Sequence, residues 1–389
     1  MPGQIRIVPA DSALWEQYNA LAARSYGHPV GDIARLRPHA DIRVAVRGGR
    51  VVAGGLGLLV PQFFGGAPVP SALLAAGCVA PEERGARLSV DMVAERLRHL
   101  REQGAVLSAV WTTSSGYIRR LGWEAAAPVF AWSVAAEDLR RAFGHPTVSV
   151  EHGRTDEADA LQRRLAGQWN GALLRPEWWP AWLDSKHQLT TYRFGPEHSP
   201  SGLLSFAMQR SERHGMNLTV HDFWAADEET ACALMAFLGS HHTRVTDIQF
   251  RRTVLPPYPL LLHRLHRYRV TAEAWHPWML RVLDVEAAVR LRGWPSDADL
   301  TVPVEVESDS GRGWDRCLLE VKGGVGRIRP ARATGEVRLT RKQFAVWYAG
   351  GYRSVASAQL AGVSARSGEA LTRLVRATTD QEPWLPDHF

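Results

Sequence analysis

Between Pro81 and Leu88 the chain reads Pro-Glu-Glu-Arg-Gly-Ala-Arg-Leu, passing from an apolar stretch into an amphipathic one. Two arginines at the start of a helix suit an anion. The free N–H groups and the dipole of a helix N-terminus attract negative charge, and a guanidinium fork grips phosphate oxygens. Pyrophosphate contact is one reading of Arg84 and Arg87; a solvated helix start is the other. Further on, Thr113, Ser114, Ser115 and Tyr117 set hydroxyls close together. A hydroxyl can give a proton to a leaving group, and Thr or Ser can equally cap a short helix. The last residues, Pro383-Trp384-Leu385-Pro386-Asp387-His388-Phe389, combine two prolines, two aromatics and two titratable side chains. That composition suits a packed segment rather than a frayed end.

The elements that must position these residues are legible from periodicity. Ile42–Val46 and Val51–Val60 flank Gly48-Gly49 and read as a hairpin. Val69–Val79 reads as a strand leading to the Pro81 loop. Ala86–Gln103 reads as a helix, with Leu88, Met92, Leu97 and Leu100 near one face and Gly104 ending it. Ala105–Trp111 is an apolar strand, followed by a short helix up to Leu121-Gly122-Trp123. After a break at Gly144-His145-Pro146 the same β-α-β order returns in degenerate form, through the strand Leu218–Trp224, the helix Glu228–Leu238 and the strand Val245–Phe250. A third unit begins near Met279 with strands and Gly turns, and two helices at Thr340–Tyr348 and Ser354–Leu360 close it.

Composition limits the function classes. At 389 residues the chain holds two or three domains, and 45% hydrophobic with 22% charged residues is the balance of a water-soluble globular protein. No apolar run reaches the length of a signal peptide or a membrane span, so a cytoplasmic protein with no membrane partner is expected. Cys78, Cys232 and Cys317 lie far apart, without metal or disulfide spacing. No metal is expected. The net charge of +6 is spread out. Arg251-Arg252 and the run His263–Arg267 are the densest basic stretches, and neither has the interleaved aromatics of a nucleic-acid surface. The 15 tryptophans include the cluster Trp178, Trp179 and Trp182, read first as packing and second as a pocket lining.

Several short matches occur in one order and spacing. They are Gly65-Gly66 before Val69-Pro70, Val79-Ala80-Pro81 leading to Arg84, Gly122-Trp123, Asp222 to Leu238, and Arg281-Val282-Leu283-Asp284. Tyr348-Ala349-Gly350-Gly351, Leu360-Ala361-Gly362 and the Pro383-Trp384 tail ending in Phe389 complete the series. Together they make the chain resemble, over essentially its whole length, the Eis-type (enhanced intracellular survival) GNAT N-acetyltransferases. The resemblance implies an α+β fold of mixed sheets: an N-terminal GNAT domain over residues 1–140, a second, degenerate GNAT-like domain over 141–278, and a sterol-carrier-protein-like domain with an active-site-directed tail over 279–389. It also implies a homo-oligomer, a hexamer in the family.

The site the resemblance implies is specific. Val79, Arg84, Gly85, Ala86, Arg87 and Thr113 would surround acetyl-CoA or another acyl-CoA. A tyrosine would act as general acid, the carboxylate of Phe389 as base, and Asp387 and His388 would meet substrate. Two positions depart from the family. Counting from Pro81, the glycine of the CoA loop falls on Arg87, with Gly85 two residues early. Counting back from Trp123, the tyrosine falls on Ile118, with Tyr117 one residue earlier, a turn of about 100° on a helix. The expected function is acetyl or acyl transfer from CoA to an amine of a small molecule, such as an antibiotic or natural product. The alternatives are a CoA-independent biosynthetic enzyme on the same scaffold, such as a cyclase, lyase or isomerase, or a ligand-binding protein.

Overall fold

Gly48 and Gly49 both take positive φ, 56° and 77°, which is the geometry of a tight two-residue hairpin turn. The turn joins Asp41–Arg47 to Arg50–Leu59, as the Gly-Gly pair predicts. The computed structural model describes residues 4–27, 31–85, 87–211, 215–255, 263–265 and 270–389. The chain divides into two units: residues 1–126 with 278–380 and Phe389, and residues 127–277 with 381–388.

The first unit carries a seven-stranded mixed sheet. Its strands run in the order Arg6–Pro9, Asp41–Arg47, Arg50–Leu59, Ser71–Val79, Leu107–Trp111, Trp278–Val282 and Glu124–Ala125. Ser71–Val79 is antiparallel to Arg50–Leu59 and parallel to Leu107–Trp111, but the parallel pairing covers only Ser71–Leu73 with Leu107–Ala109. From Leu74 onward the two strands pair no further.

Helix Leu88–Glu102 packs on this sheet through Leu88, Met92, Val93, Leu97 and Leu100, the expected stripe. Helix Ser12–Tyr26 is capped by Asp11, whose carboxylate accepts from the Leu14 N–H at 2.8 Å. The same unit contains a five-stranded sheet built on the meander Asp299–Glu307, Trp314–Lys322 and Val325–Pro330. Its helices Arg341–Tyr348 and Val355–Leu360 both start with capping boxes, at Thr340/Gln343 and Ser354/Ser357.

The second unit has its own seven-stranded sheet. The order is Val150–His152, Thr190–Phe194, Gly202–Arg210, Met216–Ala225, Val245–Arg252, Phe130–Ala135 and Thr271–Ala274. Helices Ala136–Phe143 and Glu228–Ser240 lie on a core of Phe194, Phe206, Phe250, Leu234 and Ile248.

The strand assignments differ from domain limits at 140/141 and 278/279. Phe130–Ala135 lies inside the first expected domain, yet it pairs with Val245–Arg252 and Thr271–Ala274 in the second sheet. Trp278–Val282 spans the second boundary, yet it pairs with Leu107–Trp111 in the first sheet. Each sheet lends a strand to the other half of the sequence. Alternation along a strand specifies which face is buried but not which strand lies beside it, so the exchange leaves no local sequence signal.

The tail forms a short parallel pair, Trp169–Asn170 with Glu382–Pro383. The pair belongs to the second unit.

Candidate functional site

The strand Ser71–Val79, the loop after it and the helix Leu88–Glu102 line a pocket of about 480 Å³ in the first unit. Of the residues expected around CoA, Val79, Arg84, Gly85 and Arg87 line it, and so does Tyr117. Ser25, Tyr26, Gly77, Cys78, Glu83, Leu88, Ser89 and Ser114 complete the wall. Thr113 is exposed and is not among the lining residues; its neighbour Ser114 is. Ala86 lies outside the described residues, as do His266 and Arg267 of the basic run.

The loop suits an anion. Arg84 and Arg87 are exposed, and among the described residues neither is paired with a carboxylate. Glu82 and Glu83 would oppose an anion, but Arg24 pairs with Glu82 and Arg47 with Glu83. Arg87 sits at the N-cap of the helix with φ 58° and ψ 4°. That is the left-handed region, which glycine occupies at least cost. The backbone at residue 87 therefore keeps the shape a glycine would give, while the side chain adds a cation at the helix N-terminus.

Tyr117 lies on the six-residue helix Ser115–Arg120. Its hydroxyl is buried and has no hydrogen-bond partner among the described residues. The Arg120 guanidinium stands 5.9 Å from the centre of its ring. Ile118 instead packs against the core that holds Leu97, Leu100 and Trp123. The one-residue offset thus places the tyrosine in the pocket and the isoleucine in the core.

The tail residues up to His388 are placed in the second unit, and Phe389 in the first. Asp387 is 1% exposed. Its Oδ1 accepts from Arg175 Nε at 2.9 Å and from Trp179 Nε1 at 2.8 Å. Arg175 turns its other two nitrogens to Asp222, at 2.7 and 3.1 Å, and Arg154 adds a further contact at 3.2 Å. Burial pushes Asp222 up, but Arg175 and Arg154 outweigh it and hold the carboxyl well below the ordinary range. Burial raises Asp387 more than Arg175 lowers it. Asp387 is thus buried and held by Arg175 and Trp179.

Trp384 packs against Trp169 and Trp224, with ring centres 5.1 Å away in each case, and Arg252 lies 3.6 Å from its ring. The tryptophan cluster is packing: Trp179 and Trp182 are buried 4.9 Å apart. The backbone carbonyl of His388 accepts from Lys186 at 3.1 Å, and burial pushes the His388 imidazole down to about 3. Phe389 is 9% exposed.

Models of the acetyltransferase (GNAT) domain match residues 6–126 and, separately, residues 171–282. A sterol carrier protein domain model matches residues 285–386. The N-acetyltransferase Eis of Mycobacterium bovis is 25% identical over 97% of this chain and 89% of that protein. Its counterpart in Mycobacterium tuberculosis is 24% identical over the same shares. The chain carries two domains of the GNAT acetyltransferase family and is similar to the Eis N-acetyltransferases over nearly its whole length. It is an enzyme with two GNAT domains and a sterol-carrier-like domain, and its chemistry is acyl transfer from CoA to an amine. A GCN5-related N-acetyltransferase from Kribbella flavida has the same fold, with a TM-score of 0.81 at 25% identity over 99% of this chain and 98% of that one. One from Anabaena variabilis gives a TM-score of 0.87 at 22% identity, covering 99% and 100%. Eis1 from Mycobacterium abscessus gives 0.76 at 19%, with the same coverage.

Sequence reasoning missed part of this pocket. Tyr26, Gly77, Cys78 and Ser25 carry no motif. Arg96 does leave a signal, because it interrupts the apolar face of its helix between Met92 and Leu100. Among the described residues no cluster of His, Cys, Asp and Glu is placed to hold a metal, and no helix is long and apolar enough to cross a membrane.

Proposed function

We propose that the pocket in the first unit binds acyl-CoA, with Arg84 and Arg87 on its pyrophosphate and Tyr117 as general acid, and that the acceptor is an amine on a small molecule such as a natural product or antibiotic. One observation carries the reading: the Tyr117 hydroxyl is buried, unpartnered among the described residues, and lines the same pocket as both arginines. A buried hydroxyl without a partner costs about 1–3 kcal/mol, and a bound thioester sulfur would give it one.

The chemistry divides among the chain's own groups. The substrate arrives as an ammonium and must lose a proton before its nitrogen is nucleophilic. The base proposed for this is the Phe389 carboxylate, supported by the burial of Phe389 and by its place in the same unit as the pocket. The freed amine attacks the thioester carbonyl carbon, and the carbon–sulfur bond breaks. Tyr117 gives its proton to the departing sulfur, and the nitrogen loses its second proton to water as the amide forms. Tyr117 is then recharged from solvent.

Arg87 and Ile118 are the departures that a scaffold no longer using CoA would explain. The left-handed backbone of Arg87 and the placement of Tyr117 both favour the CoA reading instead. Calorimetric titration with acetyl-CoA tests it. Binding at micromolar concentration is expected, and no heat at high micromolar concentration rejects the proposal. A homo-oligomer, hexameric as in the family, is part of the same reading, and sedimentation equilibrium measures it.

A further inference from the structure

We propose that Arg96, Tyr18 and Tyr26 form a brace that holds strand Ser71–Val79 open and aims the Gly77 N–H at the acyl carbonyl, making Arg96 a positioning residue for acyl transfer. The inference rests on the acyl-CoA reading of the pocket.

The strand pair is broken where the pocket begins. Ala53 pairs with Val79 and Gly54 with Cys78, and pairing resumes at Leu56 with Ala75. Ala76 and Gly77 therefore stand opposite Gly55 alone, which is a bulge. Ala76 holds a φ of 48°, in the left-handed region.

Three successive carbonyls at the bulge are taken by side chains. Arg96 Nη1 donates to Ala75 at 3.2 Å and to Leu56 at 3.1 Å. The Tyr18 hydroxyl donates to Ala76 at 2.7 Å, and the Tyr26 hydroxyl to Gly77 at 3.0 Å. A trans peptide holds its N–H antiparallel to its C=O. Each carbonyl turned into the brace turns the next N–H away from it, and Gly77 and Cys78 line the pocket. A donor on the carbonyl also polarises the N–H of the same peptide group.

Room for the brace is built into the facing strand. A Cβ on Gly55 would lie 2.3 Å from Arg96 Nη1, and one on Gly54 would lie 2.3 Å from the Tyr18 ring. Arg96 is 4% exposed and among the described residues has no carboxylate partner. Burial lowers its pKa, and the groups that act against this are Tyr18, Tyr26, Cys78 and Tyr117. Burial pushes Tyr18, Tyr26 and Cys78 up, so these three carry protons near neutral pH, and the guanidinium is a cation without a counter-charge from them. Such a cation is costly to bury, and an apolar side chain would fill the volume more cheaply. Acyl transfer explains its presence, because negative charge develops on the thioester oxygen and then on the sulfur. A fixed cation and polarised N–H groups stabilise that charge without reorganising.

Difference infrared spectroscopy of acetyl-CoA labelled with carbon-13 at the carbonyl, bound to the full chain, tests the brace. The bound carbonyl band is expected below its frequency in water. Arg96→Met and Tyr26→Phe should each move it back, and Arg96→Lys should restore part of the shift. In steady-state kinetics Arg96→Met should lower kcat by about tenfold or more and leave KM for acetyl-CoA within about threefold. A band at the same frequency in wild type and Arg96→Met overturns the proposal. If Arg96→Met does not fold, Tyr26→Phe decides, since Tyr26 is 44% exposed and loses only a hydroxyl; an unmoved band there overturns it. Absence of any bound label in the wild type rejects the acyl-CoA reading itself, and the brace with it.

Discussion

At the scale of single residues the chain keeps a backbone shape while changing the side chain. Arg87 occupies a left-handed φ of 58° that glycine adopts more readily. Arg87→Gly should leave stability equal or raise it by about 1 kcal/mol, as urea denaturation would show, while removing a cation from the helix N-terminus. If Arg87 contacts the pyrophosphate, KM for acetyl-CoA rises several-fold in the same variant; a lower KM would mean that the side chain only obstructs. Tyr117→Phe should lower kcat by about a hundredfold or more with little change in KM, and a full rate would exclude it as the acid. The sequence made the arginines and the tyrosine visible as types, but not which of Tyr117 and Ile118 faces the pocket. That choice is set by the rotation of a six-residue helix, fixed by packing of Ile118 against the core. Arg96 was legible only as a flaw in an apolar stripe, because its purpose depends on carbonyls from two strands distant in sequence.

At the scale of elements, the tail and the second sheet are joined by ions rather than by apolar contact alone. Asp222 is fully buried between Arg175 and Arg154. Asp222→Asn should destabilise the second unit by about 3 kcal/mol or more, since it leaves buried guanidinium charge uncompensated; equilibrium urea unfolding measures this. Helix Trp179–His187 and strand Met216–Ala225 meet through His187 and His221, whose ring centres are 4.3 Å apart. Burial is the main cause that pushes them down, to about 2 and about 4, with His388 at about 3. Folded-state values below the unfolded 6.5 mean that stability is fully present above pH 6.5 and is lost as pH falls toward the folded values. Each imidazole contributes at most about 1.4 kcal/mol per pH unit across that window. His221→Gln should therefore show a shallower loss between pH 6.5 and 4.5 than the wild type in unfolding midpoints. Helix and strand positions were mostly readable from periodicity. The partners of Phe130–Ala135 and Trp278–Val282 were not, because pairing across more than a hundred residues leaves no local pattern.

At the scale of the whole molecule, the exchange of strands decides where the chain can be cut. A fragment of residues 1–140 lacks Trp278–Val282 from its sheet and carries Phe130–Ala135 without partners, so it should fail to melt cooperatively. The Ala126 N–H donates to the Trp278 carbonyl at 3.3 Å, so the two ends of the first unit are neighbours. Residues 1–126 joined by a short glycine linker to 278–380 should give a single cooperative transition by circular dichroism; a broad, non-cooperative melt would mean that this unit does not fold alone. The buried pair of Arg175 with Asp387 has a consequence in time. The two residues are 212 positions apart, and synthesis at about 5–20 residues per second puts roughly 10–40 s between their emergence from the ribosome. For that interval Arg175 and Asp222 wait beside a vacant aspartate slot, and Trp169 and Trp224 wait for Trp384. The core around Arg175 and Trp169 is completed only when Trp384 and Asp387 have been made.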